Sequence, residues 1–364
     1  SGFHPDHDTI AHFRKVFLSE LEDLFVEILL LAQLAGILKL GNLSLDGSKI
    51  HADASKSHAV SHKRLIALEI QLKTEVARLL ELGERADQGE LVLPDSFGVE
   101  DEVAIRQKRL EKLAEAKRVL EERARERYAV EQAEYAAKLR EREEKARRNP
   151  RKPGGPVPQP PEEGPRDKDQ YNFTDPASRI MKNSTNAGFD QHYNIQVAVA
   201  QDVLLIVATS LSNHPNDKQE ALPTLDAISP RLGHADAAAL DNGFYSEANI
   251  TGMEQRDIEP YIATGREPHY KSVDGLLGIL PEPPSETASP KEKMTYKLRT
   301  EIGHAIYRLR KCTVEPVIGI IKEILGFRQF SLRGLAAATG EWCLVCLAFN
   351  IKRMHILWMQ QGLL

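Results

Sequence analysis

The chain has 364 residues, room for two domains or one elaborated one. Its 48 Lys and Arg against 53 Asp and Glu leave a formal charge of −5, and 41% of its residues are apolar. That balance excludes a wholly disordered chain and a uniformly basic nucleic-acid packer, so any nucleic-acid surface is local.

Residues 8–40 read as helix, because Ile10, Phe13, Phe17, Leu21, Leu24, Phe25, Ile28 and Leu31 recur at three- and four-residue steps. Asp8 stands where an N-cap belongs. The longest apolar run, residues 24–38, carries Glu27 and Gln33 and is too short to span a bilayer. No signal-peptide pattern opens the chain, which starts Ser1-Gly2-Phe3 without Met and reads as a fragment or trimmed chain. Three cysteines make no disulfide scaffold and point to a reducing compartment. A brief alternating strand follows at residues 43–50.

Residues 59–148 have a different texture. Leu65, Leu68, Leu72, Leu79 and Leu82 follow a heptad seam that Glu75 interrupts. After a break at 91–98, a second seam runs Val103, Leu110, Leu113, Leu120 and Ala124, broken by Arg106 and Lys117. Dense Glu, Lys and Arg elsewhere fit a helical hairpin or antiparallel coiled coil, its second helix reaching roughly 70 Å at ~1.5 Å per residue. Residues 149–165, rich in Pro and Gly, read as an extended linker.

From residue 171 the pattern is α/β. Tyr193, Ile195, Val197 and Val199 alternate, residues 201–202 turn, and 203–208 are apolar, which makes a two-stranded hairpin. A helix at 218–228, a buried strand at 237–240, a helix at 247–256 and a strand at 260–264 follow. Residues 291–325 read as helical with Pro316 kinking or restarting the run, and 334–359 as a final apolar helix.

Three acids stand at candidate strand or helix ends: Asp46, Asp241 and Glu315. Clustered carboxylates repel, and divalent cations relieve that repulsion; hard oxygen ligands suit Mg²⁺ or Mn²⁺. Two such ions suit in-line phosphoryl displacement. The bland reading of each acid is a turn residue or a solvated helix face. Around Glu315 the charge is inverted: residues 290–353 hold twelve Lys or Arg against five Asp or Glu in an otherwise acidic chain, the local field that phosphate binding needs. Cys343 and Cys346 have CxxC spacing without a second pair and read as buried thiols; His58 and His62 read as solvated; Trp342 and Trp358 read as core or interface residues. The loop at 265–269 reads as a turn or a DNA-facing segment.

Residues 45–50 (Leu-Asp-Gly-Ser-Lys-Ile) followed by 51–56 (His-Ala-Asp-Ala-Ser-Lys) resemble the first-Asp segment of DDE insertion-sequence transposases. Residues 175–182 and 188–194 resemble their second-strand approach, and 213–219 with 241–247 the segments up to and around the second Asp. Residues 307–322 resemble the signature of Tyr, a basic residue, Glu and Lys about the catalytic Glu, with 326–330 and 340–342 in the same segment. The eleven-eighty-two group, with a helical insertion after the first strand, is the nearest pattern.

The resemblance implies an α/β, RNase H-like mixed sheet with flanking helices, interrupted after its first strand by a long helical hairpin or coiled-coil insertion. It implies a helical segment at 1–41 ending a larger helical domain, a catalytic domain from 42–56 and 170–340, an insertion at 57–148, a linker at 149–169 and a C-terminal helix at 341–364. Asp46, Asp241 and Glu315 are then catalytic residues and ligands of two Mg²⁺ or Mn²⁺ ions. Tyr307, Arg310 or Lys311, Lys322, Arg328 and Arg333 are implied DNA contacts. The implied activity is cleavage and strand transfer at transposon ends, with double-stranded DNA as partner, a homo-oligomer on DNA, no membrane, and a cytoplasmic, nucleoid-associated location. The alternative is a truncated or inactive derivative that binds DNA or oligomerises without cutting.

Overall fold

The computed structural model of the protein describes residues 6, 9, 12–13, 16–94, 96–148, 157–183, 188–265, 280 and 282–360. In chain order its elements are helix α1 (Leu18–Leu34), strands β1 (Asn42–His51) and β2 (Ala59–Ser61), helices α2 (His62–Asp87) and α3 (Val99–Arg148), and strands β3 (Gln170–Asn172), β4 (Arg179–Lys182), β5 (Phe189–Ala200) and β6 (Ile206–Ser212). Then come α4 (Ala221–Asp226), β7 (Ala237–Leu240), α5 (Glu247–Glu254), β8 (Glu259–Ile262), α6 (Pro290–Lys297), α7 (Glu301–Gly319) and α8 (Leu335–Gln360). The chain divides into two compact units, Ser1–Ala54 with Ala177–Leu364, and Ser55–Pro176.

The first unit is built on a six-stranded mixed sheet in the order β4-β5-β1-β7-β8, with β6 also on β5. Strand β1 runs antiparallel to β5 and parallel to β7, and β7 runs parallel to β8. Strands β4 and β6 pair antiparallel with successive stretches of β5. The all-apolar β7, Ala-Ala-Ala-Leu, is buried along its whole length, as a central parallel strand covered on both faces must be. Helix α8 lies in the core: Trp342 is fully buried and stacks on Phe327 at 6.0 Å, while Asn350 exchanges bonds of 2.9 and 2.8 Å with the Ile206 backbone. By length and composition alone α8 could cross a membrane, but half of its most apolar window is buried inside the protein.

The helix expected over 8–40 is described from Leu18 to Leu34. It stops because Gly36 adopts φ +70°, a conformation that glycine reaches without strain. Ile37, Leu38 and Leu40 are buried by packing outside the helix, although they continue its apolar rhythm. Asp8 lies outside the described residues. The expected run at 291–325 is broken at Thr300, whose side chain caps α7, and not at Pro316, which sits within that helix. A single π-helical turn, Ile320–Ile324, follows. Helix α4 is shorter than the 218–228 expected. Strands β2, β3 and β4 are too short to leave a clear period in the sequence.

In the second unit α2 and α3 pack through Leu65, Leu72, Leu113, Ala116 and Leu120, and a small β2–β3 ladder adds Val60 and Tyr171. The polar residues that interrupt the apolar seams pair across the two helices. Arg106 Nε donates to Glu75 at 2.9 Å, and Lys117 Nζ to Glu69 at 3.3 Å. That crossing, early on one helix to late on the other, fixes an antiparallel pair. His58 lies in a short 3₁₀ turn and donates to or accepts from Thr174 at 2.7 Å, so it does not share a helix face with His62.

Candidate active site

Two of the three acids are brought together by strand register. Strands β1 and β7 pair in parallel up to Leu45 opposite Leu240, so Asp46 and Asp241 are the next residue on each and stand side by side. Asp46 is still in strand; its Oδ1 accepts from the Gly47 amide at 2.9 Å. Asp241 leaves the strand and caps a short turn, accepting from the Gly243 amide at 2.7 Å.

Glu315 arrives on α7, which two buried polar contacts pin to the sheet. Thr313 Oγ1 meets Ser44 Oγ at 2.7 Å, and Gln201 Nε2 donates to Ser44 Oγ at 3.0 Å and to the Ile306 carbonyl at 3.1 Å. Ser44 and Asp46 are two apart on one strand, so they face α7 together. The link between the acids is Arg310. Its Nη1 donates to Asp46 Oδ2 at 2.9 Å and its Nη2 to Glu315 Oε1 at 3.0 Å. The side chain is 9% exposed, and Nε is buried without a partner among the described residues.

The electrostatics follow from that placement. Burial pushes the Asp46 carboxyl up to about 6; Arg310 pulls it down, and the charges of Asp241 and Glu315 push it further up. Against the downward pull of burial, Asp46, Tyr307, Glu315 and Asp241 hold the Arg310 guanidinium above its ordinary value. The three acids therefore share one electrostatic neighbourhood. Among the described residues no group of three His, Cys, Asp or Glu is close enough to hold a metal ion. The donor chemistry nonetheless fits a hard divalent cation: all three are carboxylates, and two of them already share one positive group.

The basic residues separate by environment. Arg310 is buried between carboxylates, whereas Lys311 next to it is exposed. Lys322 lies in the π turn and reaches β1, where its Nζ meets Ser48 Oγ and the Lys49 carbonyl, the latter at 3.2 Å. Burial pulls its pKa down, and Glu323 and Asp46 oppose that pull. π turns of this kind are frequent at functional sites. Arg328 pairs with Glu323, and Arg333 with Asp53 at 2.8 Å. Tyr307 is half-buried beside Ala237, Ala239 and Tyr261, on the α7 side of the sheet.

The fold adds a fourth acid that sequence reasoning misses. Asp217 accepts from Asn194 at 2.7 Å and from Gln196 at 2.9 Å. A Cβ on Gly243 would stand 3.0 Å from Asp241 Oδ1 and 3.5 Å from Asp217 Oδ2, so the two carboxylates flank the same glycine. Gly47 matters similarly: a Cβ there would stand 2.3 Å from Gln196 Nε2, so only glycine lets that amide lie against β1. The usable signal is two amides, at 194 and 196, that share one face of β5 while Tyr193, Ile195, Val197 and Val199 take the other. The loop residues Arg266 to His269 lie outside the described residues. Cys343 and Cys346 are buried thiols, with burial pushing Cys343 up to about 12.

No curated protein and no solved structure matches the chain. Residues 283–355, which carry Glu315, Arg310 and Lys322 but neither aspartate, match the family model of the transposase DDE domain.

Proposed function

We propose that the protein is an insertion-sequence transposase that cuts DNA at transposon ends and joins the freed ends to target DNA. One observation carries the reading. Asp46 and Asp241 neighbour one another across a parallel strand pair, and Glu315 joins them through Arg310 on the segment that matches a DDE domain. The strand order, with an antiparallel β1-β5-β6 run and parallel β7 and β8 beyond β1, supports an RNase H-like catalytic domain assembled from both sides of an insertion.

In this reading Asp46, Asp241 and Glu315 are the ligands of two Mg²⁺ or Mn²⁺ ions. When bound, those ions supply the Lewis acidity that in-line displacement at phosphorus needs. Lys322, which reaches β1 within the field of Asp46, contacts a phosphate near the scissile bond; Lys311, exposed beside the site, and Tyr307, Arg328 and Arg333 extend the backbone contacts. Arg310 offsets part of the carboxylate charge in the absence of cation. The expected partner is duplex DNA, bound as a homo-oligomer in the cytoplasm.

Incubation with transposon-end DNA and Mn²⁺ tests the proposal. Wild-type protein nicks the strand and Asp241→Ala does not; equal nicking by both overturns it. Tight end-DNA binding without cleavage in either cation favours the alternative of a DNA-binding derivative that no longer cuts.

A further inference from the structure

The second unit holds a cleft that the proposed chemistry leaves unused. It encloses about 530 Å³ between the 57–60 segment and α2 on one side and α3 on the other. Arg64, Lys108, Arg109 and Lys112 line it together with His58 and Phe173, and among the described residues no Asp or Glu does. Lys108, Arg109 and Lys112 stand at successive i, i+1 and i+4 positions of α3, and Arg64 comes from the facing helix, so positive charge borders the cleft from two elements.

Some of the other cations on the same helices are paired with acids. Arg106 is neutralised by Glu75 and Glu102, and Lys117 by Glu69, which Lys73 shares. Arg64, Lys108, Arg109 and Lys112 are exposed, and none of the salt bridges among the described residues includes them. Arg109 helps to lower the Glu75 pKa from outside hydrogen-bonding range, and what sets the four cations apart is that they gather on one concave face. Phe173, 40% exposed at the cleft, offers an apolar surface beside the charge.

We infer that this cleft is a second DNA-binding site, which holds the sugar-phosphate backbone of a duplex independently of the carboxylate site. Lysine ammonium and arginine guanidinium groups on two walls suit consecutive phosphates, and the exposed ring suits a sugar. Only the identity of the nucleic acid rests on the proposed function; the charge and shape of the cleft do not.

The test uses the full chain and a duplex of arbitrary sequence, without divalent cation, with binding followed by fluorescence anisotropy across a salt series. Lys108→Glu/Arg109→Glu/Lys112→Glu should weaken binding at least ~10-fold and lower the slope of log K against log salt by about 2–3, near 0.9 for each phosphate no longer neutralised. Lys108→Ala/Lys112→Ala, which changes only exposed side chains, should give a smaller loss in the same direction with an unchanged unfolding midpoint. Unchanged affinity and slope in both variants overturn the inference. Displacement of the duplex by poly-glutamate at equal charge concentration also overturns it, in favour of an acidic peptide. The two proposals fail separately. Loss of duplex binding on charge reversal, in a protein that never nicks DNA, sinks the transposase reading and keeps the cleft. Normal nicking with unaltered binding sinks the cleft alone.

Discussion

Arg106 and Arg310 each bridge a pair of carboxylates, and they do so in different surroundings. Arg106 joins Glu75 of α2 to Glu102 of its own helix where all three side chains stay in contact with solvent. There the Glu75 pKa falls, through its bond to Gln71 and then through Arg106, as hydrogen bonds to a hydrated carboxylate dictate. Arg310, itself buried, joins the largely covered Asp46 of β1 to the more exposed Glu315 of its own helix, and there Asp46 rises to about 6 despite the arginine. The same constellation is a surface clasp in one place and a store of unsatisfied charge in the other. Desolvation makes the difference, because removing water costs a carboxylate more than one shared guanidinium returns.

The largest effect that would break this comparison is catalytic. Glu315→Gln keeps the shape of the bridge and removes a charge, so strand nicking in Mn²⁺ should drop to the level of a blank; retained nicking would make the buried bridge merely structural. Next is stability. Arg310→Met leaves Asp46 facing Asp241 uncompensated and should cost about 3 kcal/mol in urea unfolding, whereas Arg106→Met should leave the midpoint in place. Equal effects from the two would erase the distinction. Gly47→Ala should cost about 1–3 kcal/mol, since its new methyl collides with Gln196 and loosens Asp217.

The smallest effect concerns pH. His214 Nδ1 donates to the Glu220 carboxylate at 2.6 Å, and that bond holds its pKa above the ordinary 6.5. A histidine whose pKa is higher folded than unfolded stabilises fully below 6.5 and ceases to do so as pH climbs through the raised value. Wild-type stability should therefore fall across that window, and His214→Gln should flatten the profile; an unchanged profile removes His214 from the account.

What can be read in the sequence is what depends on short-range pattern. The alternation at 43–50 and the apolar run at 237–240 correspond to β1 and β7, because period-two alternation and full burial each leave a local trace. The interruptions at Glu75, Arg106 and Lys117 are visible, but that they answer one another requires both helices in place. The spacing does not decide between Arg310 and Lys311: adjacent residues on a helix differ by about 100°, and only the position of the sheet says which turns inward. Asp217 escapes for a related reason, since it lies in the loop after β6 and amides on β5 hold it. The helix end at Gly36 is hidden because the residues after it are apolar for tertiary reasons.

The register of β4, β5 and β1 carries a last consequence. Arg179 pairs with His192 and His192 with His51, so these three residues lie in one row across neighbouring strands. Two strand spacings amount to about 10 Å, a gap that a handful of residues can cross. Ala54 and Ala177 could accordingly be spliced by a short glycine-serine loop, and the sheet would retain every hydrogen-bonded partner it has. Everything between those two points is removable cargo as far as the strand ladder is concerned, which gives evolution a socket where helices of other lengths can be exchanged without redrawing the acid row.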